Sequence, residues 1–181
     1  GWMDKVLADL EEKNLIKESQ GAKVVEIDGF QTPAMIVKSD GATTYLTRDL
    51  ATLKFRKEKW DPDLVIYEVG AEQKFHFKQV FQLSEKLGYI DKDKLVHIGH
   101  GIIGGEDGKF STREGKTIHL EEVLNKAMTR AEEIIKESNI DKDLGQDEKK
   151  DIVQAVGIGA VKFNDLKQEP QKNITFDWDQ M

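Results

Sequence analysis

Two apolar runs separated by one amphipathic segment constrain the fold of this chain more than any other sequence feature. Residues 63–69 and 94–98 have the composition of strands, and residues 72–87 between them carry apolar side chains at helical spacing before Gly88. Strand, helix and strand in this order predict a right-handed crossover and a parallel sheet with helices outside. The nearly continuous apolar run over 63–69 also predicts a strand that is covered on both faces.

The remainder of the chain divides into short strands and longer helices. We predict a helix over 3–15, strands over 23–27 and 34–37, an extended segment over 43–46, a helix from 47 to 60, and helices over 121–138 and 146–166. The fold class is therefore α/β, with a helical appendage after the sheet. In parallel sheets of this kind, ligands bind at the carboxyl ends of the strands.

Composition excludes several classes of protein. The chain has 181 residues, a net charge of -7 and no cysteine. The acidic balance argues against a stand-alone nucleic-acid binder, and no apolar run approaches the length needed to cross a membrane. The absence of cysteine excludes disulfides and thiolate metal sites, and it is typical of the cytoplasm, where we expect this protein. We expect no metal site.

A polar, basic loop over residues 109–116 follows a glycine-rich turn. It combines Lys109, Arg113, two hydroxyl side chains and a glycine. Such a loop is suited to binding a polyphosphate whose charge shifts during a reaction. The alternative, on composition alone, is a solvated surface loop.

Tyr45 and Asp49 lie four residues apart at the predicted boundary between strand and helix. If Asp49 lies in the first helical turn, its carboxylate can project into the crevice and bind a guanidinium through two parallel hydrogen bonds. The alternative is that Asp49 complements the helix amino end, or pairs with Arg48 or Lys54. Further along, Gln73 and His76 share one helical face just beyond a predicted strand, and the alternative for His76 is a histidine satisfied at a helix amino end.

Four stretches, in order, resemble one family. Residues 109–115 (KFSTREG) resemble the KMSKS loop of class I aminoacyl-tRNA synthetases in the form found in arginyl-tRNA synthetases. Residues 41–51, residues 67–77, and residues 158–166 with 176–179 are similar to segments of the same family in the same order. The resemblance implies the second half of a class I, Rossmann-like catalytic domain over 1–119, followed by a helical connecting segment over 120–181.

The resemblance also implies roles for the residues singled out above. Asp49 is expected to bind the arginine guanidinium, Tyr45 to shape the pocket and Gln73 to hydrogen-bond the amino acid. His76 is expected on the ATP side. In the loop, the resemblance implies catalytic and ATP-binding positions at Lys109, Ser111, Thr112 and Arg113, which would stabilise the departing pyrophosphate.

The implied substrates are L-arginine, ATP with Mg²⁺ and tRNA(Arg), with no tightly bound cofactor. Glu114 stands where the family often has a lysine, which lowers the positive charge of the loop. 

The tetrapeptide HIGH, the second signature motif of class I synthetases, occurs here at residues 97–100. In the family it opens a helix after the first strand, whereas here it ends a late strand, so we interpret it as a coincidence and the true motif as missing. The chain is then expected to be a central piece of an arginine–tRNA ligase without full activity. The alternative is a stand-alone, non-catalytic module that binds a small cationic ligand or a partner protein; another class of nucleotide-binding enzyme is disfavoured by the lack of GxGxxG and P-loop motifs.

Overall fold

The computed structural model describes residues 1–105, 108–109, 119–139, 142 and 144–175. It divides the chain into two compact units, one over Gly1–Gly99 and one from His100 onward. These two units divide the chain between residues 99 and 100, whereas the predicted boundary between the catalytic domain and the helical segment lies between residues 119 and 120. That boundary concerns a different division of the chain and stays a prediction.

The first unit contains three helices and five strands. In order these are α1 (Trp2–Glu12), β1 (Ile16–Ser19), β2 (Ala22–Val25), β3 (Ala34–Val37), α2 (Tyr45–Trp60), β4 (Val65–Gly70), α3 (Lys74–Leu87) and β5 (Leu95–His100), whose last residue begins the second unit. A short 3₁₀ turn over Ala71–Gln73 joins β4 to α3. The predicted helices and strands of this part of the chain are confirmed, with shifts at their ends.

The sheet β1–β2–β3 is an antiparallel meander that the sequence pattern did not reveal. Strand β1 is a polar segment with one apolar residue, Ile16, and it pairs with β2 from Ile16↔Val25 to Ser19↔Ala22. The two-residue link at Gln20 and Gly21 has positive φ at both positions, which is the geometry of a tight hairpin turn. The meander carries the buried side chains of Val25 and Ile36 into the core.

The crossover unit β4–α3–β5 forms as predicted, with its two strands adjacent in one sheet. Helix α3 ends at Gly88, whose left-handed backbone (φ 76°) closes the helix without a Cβ clash. The prediction that the 63–69 strand is covered on both faces is wrong for this unit. Ile66 is 52% exposed while its neighbour Val65 is buried, because within residues 1–99 the strand packs its apolar side chains on one face only.

Helix α2 begins two residues earlier than the pattern indicated, so the prediction of an extended 43–46 segment is wrong in its second half. Thr44 is the N-cap, and its side-chain oxygen accepts a hydrogen bond from the Thr47 amide at 3.5 Å. The same hydroxyl donates to the Met35 carbonyl at 2.8 Å, and the Thr47 hydroxyl donates to the Ile36 carbonyl at 2.6 Å. A capping threonine satisfies one of the free amides of a helix end, which favours initiation at this position.

One hydrophobic core unites the first unit. Its fully buried side chains come from all three helices and from the meander: Val6, Leu10, Val25, Ile36, Leu50, Leu53, Val80 and Leu83. Next to this core, Tyr89 donates its hydroxyl to the Asp9 carboxylate at 2.5 Å, and Lys54 pairs with the same carboxylate at 2.7 Å. These two contacts tie α1 to α2 and to the segment that follows α3.

The second unit contains two long helices and a small sheet. Helix α4 spans Leu120–Glu137 and α5 spans Gln146–Leu166, both close to the predicted ranges. Strand β6 (Ile103–Gly105) pairs antiparallel with β7 (Gly108–Lys109) and parallel with β8 (Ile174–Thr175). In the part of the chain that the structure describes, none of the helices has the length and apolar character that crossing a membrane requires.

Gly157 lets α4 and α5 approach closely. A Cβ built on Gly157 would lie 2.7 Å from the Met128 Cα, whereas a Cβ on Gly159, in the same helix, meets nothing within 4 Å. Gly157 is buried and Gly159 is exposed. The two glycines of α5 therefore differ in role: close packing against α4 requires Gly157, whereas Gly159 makes no such contact.

Substituting each of the two glycines by alanine tests this helix contact. We expect Gly157→Ala to lower the free energy of unfolding of the second unit by about 1–3 kcal/mol, because the added methyl group overpacks the contact with Met128. Gly159→Ala should raise it by up to about 1 kcal/mol, because alanine favours the helix and has open space. Urea denaturation followed by circular dichroism measures both; equal effects of the two substitutions would contradict the close approach.

Candidate functional site

The start of α2 positions the first two candidate residues. Because the hydroxyls of Thr44 and Thr47 bind carbonyls of β3, the first turn of α2 is held against the meander. Tyr45 is the first residue of the helix and Asp49 is the fifth, so the two lie on one face, one turn apart. Tyr45 is 77% exposed, and the Arg48 guanidinium lies over its ring at 5.3 Å from the centroid.

The Asp49 carboxylate makes one close contact. Its Oδ2 lies 2.6 Å from Nε2 of His76, on α3, and the two side chains are 31% and 27% exposed. The structure thus brings together two of the candidate residues that the resemblance assigned to different substrates. The pairing joins helices whose residues are 27 apart in sequence, so no local pattern could have revealed it.

The alternatives considered for Asp49 are not realised. No acidic residue lies in the first turn of α2, so Asp49 does not complement the helix amino end. Lys54 forms ion pairs with Asp9 at 2.7 Å and with Glu58 at 3.4 Å instead. Among the described residues, Asp49 forms no ion pair with a lysine or an arginine.

Gln73 and His76 approach the site from the end of β4. Gln73 closes the 3₁₀ turn directly after β4 and is exposed, one turn before His76. The His76 ring packs edge-on against Phe77, with centroids 5.1 Å apart, and Phe77 itself is only 4% exposed. The imidazole is therefore supported by the core on one side and faces the Asp49 carboxylate with Nε2.

Through Phe77, the His76 ring also contacts a cluster of rings from β4, α3 and β5. Phe77 packs against Tyr67 at 4.6 Å and stacks on His97 at 5.2 Å, and the Arg56 guanidinium lies over the Tyr67 ring at 5.3 Å. Burial raises the pKa of Tyr67 to about 12, and the charge of Asp49 adds to the rise while Arg56 opposes it. Sequence reasoning missed Tyr67 and Arg56, because the contact between them depends on how separate elements pack.

Two buried polar atoms in the ring cluster have no hydrogen-bond partner within the described part of the chain. They are the Tyr67 hydroxyl and Nε2 of His97. Native proteins satisfy nearly all buried polar groups, so such atoms carry a cost in stability. The HIGH tetrapeptide that contains His97 lies entirely in strand β5, as expected for a coincidental match.

The basic loop is outside the described residues except at its first position. Lys109 ends β7, where its backbone pairs with Gly104. Ser111, Thr112 and Arg113 lie outside the described residues, and their roles stay predictions. Within the described ranges, no group of three or more histidine, aspartate or glutamate side chains is placed to hold a metal ion.

Comparison with known proteins identifies the family. The family model for the catalytic domain of class I tRNA synthetases for arginine matches residues 1–178. This chain belongs to the arginyl-tRNA synthetase family. The arginine–tRNA ligase of Clostridioides difficile is 42% identical over 178 residues, which cover 98% of this chain and 31% of that protein. The Clostridium kluyveri enzyme is 44% identical over 180 residues, with 99% and 31% covered.

Solved arginyl-tRNA synthetases share the fold. The Thermus thermophilus enzyme superposes with a TM-score of 0.82 at 24% identity, over 99% of this chain and 36% of that one. The Plasmodium falciparum enzyme gives a TM-score of 0.79 at 23% identity, over 98% and 29%. The predicted α/β, class I fold is confirmed. The chain spans about a third of the length of these arginyl-tRNA synthetases, and the alternative of a stand-alone binding module finds no support among them.

Two tyrosine hydroxyls in this chain offer a matched test of hydrogen bonding. Tyr67→Phe removes an unpartnered hydroxyl, so we expect the free energy of unfolding to stay unchanged or to rise by up to about 1 kcal/mol. Tyr89→Phe removes the donor to Asp9, and we expect a decrease of about 1.5–3 kcal/mol. Urea denaturation measures both. An equal loss for the two substitutions would show that the Tyr67 hydroxyl has a partner.

Proposed function

We propose that this chain provides the arginine pocket and the pyrophosphate-binding loop of an arginine–tRNA ligase. The whole enzyme joins L-arginine to ATP, with Mg²⁺ carried by the nucleotide, to form arginyl-adenylate, and then transfers the arginine to the 3′ end of tRNA(Arg). We place this reaction in the cytoplasm. The observation that carries the proposal is the half-buried Asp49 carboxylate, which has a histidine but no cationic partner among the described residues.

The proposed arginine pocket uses Asp49, Tyr45 and Gln73. A carboxylate can accept two parallel N–H···O bonds from a guanidinium, which gives both energy and orientation. Tyr45 lies one helical turn before Asp49 and has an exposed ring, which is suited to the flat guanidinium group. Gln73 offers an exposed amide at the end of β4, where parallel sheets bind their ligands, and in this proposal it hydrogen-bonds the amino acid.

The proposed chemistry is in-line attack of the arginine carboxylate on the α-phosphorus of ATP, with pyrophosphate as the leaving group. In this proposal the KMSKS-like loop contributes Lys109, Ser111 and Arg113 to stabilise the negative charge that accumulates on the pyrophosphate. Thr112 is proposed on the ATP side. The family model covers these loop residues, which supports this part of the proposal. The resemblance implies the same side for His76, whereas its contact with Asp49 favours the arginine side.

We propose that the isolated chain does not arginylate tRNA. It spans 31% of the length of the curated relatives, and the HIGH motif of class I enzymes has no helical counterpart at residues 97–100. Half of the ATP-binding groups would then come from another part of the enzyme. Detectable arginylation of tRNA by the 181-residue chain alone would contradict this.

Substituting Asp49 tests the arginine pocket. We expect Asp49→Asn to weaken arginine binding roughly 30-fold or more, because a desolvated guanidinium loses its charged partner. Citrulline keeps the shape of arginine but lacks its charge. We expect citrulline to bind the unsubstituted chain no more tightly than arginine binds the Asp49→Asn variant. Titration calorimetry measures each affinity. Asp63→Asn, at an exposed carboxylate of the same unit, is the matched control and should leave binding unchanged.

The same variants in a catalytic context test the function. Residues 1–178 replace the matching segment of the Clostridioides difficile enzyme, and arginylation of tRNA is measured for the chimera. We expect activity in the chimera and in its Asp63→Asn form, and loss in its Asp49→Asn form. Arginine binding and arginylation that survive Asp49→Asn would remove Asp49 from the pocket.

A further inference from the structure

The contact between His76 and Asp49 uses one of the two oxygens of the carboxylate. Nε2 of His76 lies 2.6 Å from Oδ2 of Asp49, and this is the only hydrogen bond of the Asp49 side chain among the described residues. A carboxylate offers about four lone-pair positions on its two oxygens. One imidazole N–H occupies one of them, so a guanidinium can still bind through both oxygens.

We propose that His76 is a positioning residue for Asp49: its Nε2–H donates to Oδ2, fixes the carboxylate and leaves Oδ1 and the second lone pair of Oδ2 for the guanidinium of arginine. This inference rests on the proposed arginine pocket and names the group that orients it. A hydrogen bond from the other helix restricts the rotation of the Asp49 side chain before the ligand arrives. The side chain of Asp49 then loses its conformational entropy during folding, and ligand binding does not have to order it.

The surroundings of His76 suit a positioning role. One edge of its ring is supported by the buried Phe77, which in turn stacks on His97. The imidazole therefore has limited freedom to turn away from Asp49. Of the cations on α2, Lys54 pairs with Asp9, and Arg48 lies over the Tyr45 ring. A neutral imidazole orients the carboxylate without cancelling its charge, whereas a lysine or arginine in this place would compete with the ligand.

The first test observes the hydrogen bond directly in the 181-residue chain. Nitrogen-15 NMR of the labelled histidines reports which ring nitrogen carries the proton. We expect His76 in the neutral form with the proton on Nε2, and a shift of this resonance in Asp49→Asn. A proton located on Nδ1, or a resonance that is insensitive to Asp49→Asn, would overturn the proposal. This measurement is independent of arginine binding.

The second test separates the donor from the ring by two substitutions. His76→Gln retains an N–H donor that can reach the place of Nε2, and His76→Phe retains the ring packed on Phe77 without a donor. We expect His76→Phe to weaken arginine binding roughly tenfold, and His76→Gln to remain within about threefold of the unsubstituted protein. ATP affinity should be the same in both variants, measured by calorimetry in the chain and by KM in the chimera.

Three results would overturn the positioning role. They are an arginine affinity unchanged by His76→Phe, an equal loss of arginine binding in both variants with a lower melting temperature, and a loss of ATP affinity alone. The last result would instead support the ATP-side role of His76. If the unsubstituted chain and the chimera both fail to bind arginine, the proposed function and this inference fall together, and the NMR result then reports a purely structural hydrogen bond.

Discussion

Two threonine hydroxyls that bind carbonyls of a neighbouring strand set the geometry of the candidate site. Thr44 and Thr47 connect the first turn of α2 to Met35 and Ile36 of β3, and the Thr47 hydroxyl is fully buried. Because a buried carbonyl without a partner is costly, these bonds fix both where the helix begins and how it is rotated. The rotation decides which side chains of α2 face α3, and Asp49 is one of them.

The distribution of charge follows from the same arrangement. Lys54, one turn after Leu50 on α2, is satisfied by Asp9 and Glu58, and Asp9 is further held by Tyr89. Burial opposes ionisation of Asp9, but its hydrogen bonds with Lys54 and Tyr89 outweigh burial and hold the pKa of this carboxyl below its usual value. Lys54 is thus held in structural ion pairs, and Arg48 lies over the Tyr45 ring. Among the described residues, the contact partner of the Asp49 carboxylate is His76, and this arrangement supports the proposed binding of a cationic ligand.

Periodicity predicted α1 to α4 well because each buries side chains at helical spacing on one face. Helix α5 spans Gln146–Leu166, the range that its pattern indicated, even though it contains two glycines. The meander was harder to predict, since β1 is mostly polar and gains its order from pairing with β2. The start of α2 was misplaced because the capping role of Thr44 depends on a contact with β3. The exposed face of β4 shows the same limit, because an apolar run does not reveal what covers it.

The sequence by itself determined the family, the crossover unit and the residue types of the candidate site, because these depend on local pattern and on ordered motifs. The resemblance grouped Asp49, Tyr45 and Gln73, and the structure has the first two in the first two turns of α2 and the third directly after β4. Only the tertiary structure decided that His76 contacts Asp49. That contact depends on the packing of α2 against α3, and side chains 27 residues apart meet only when both helices are docked on a common core.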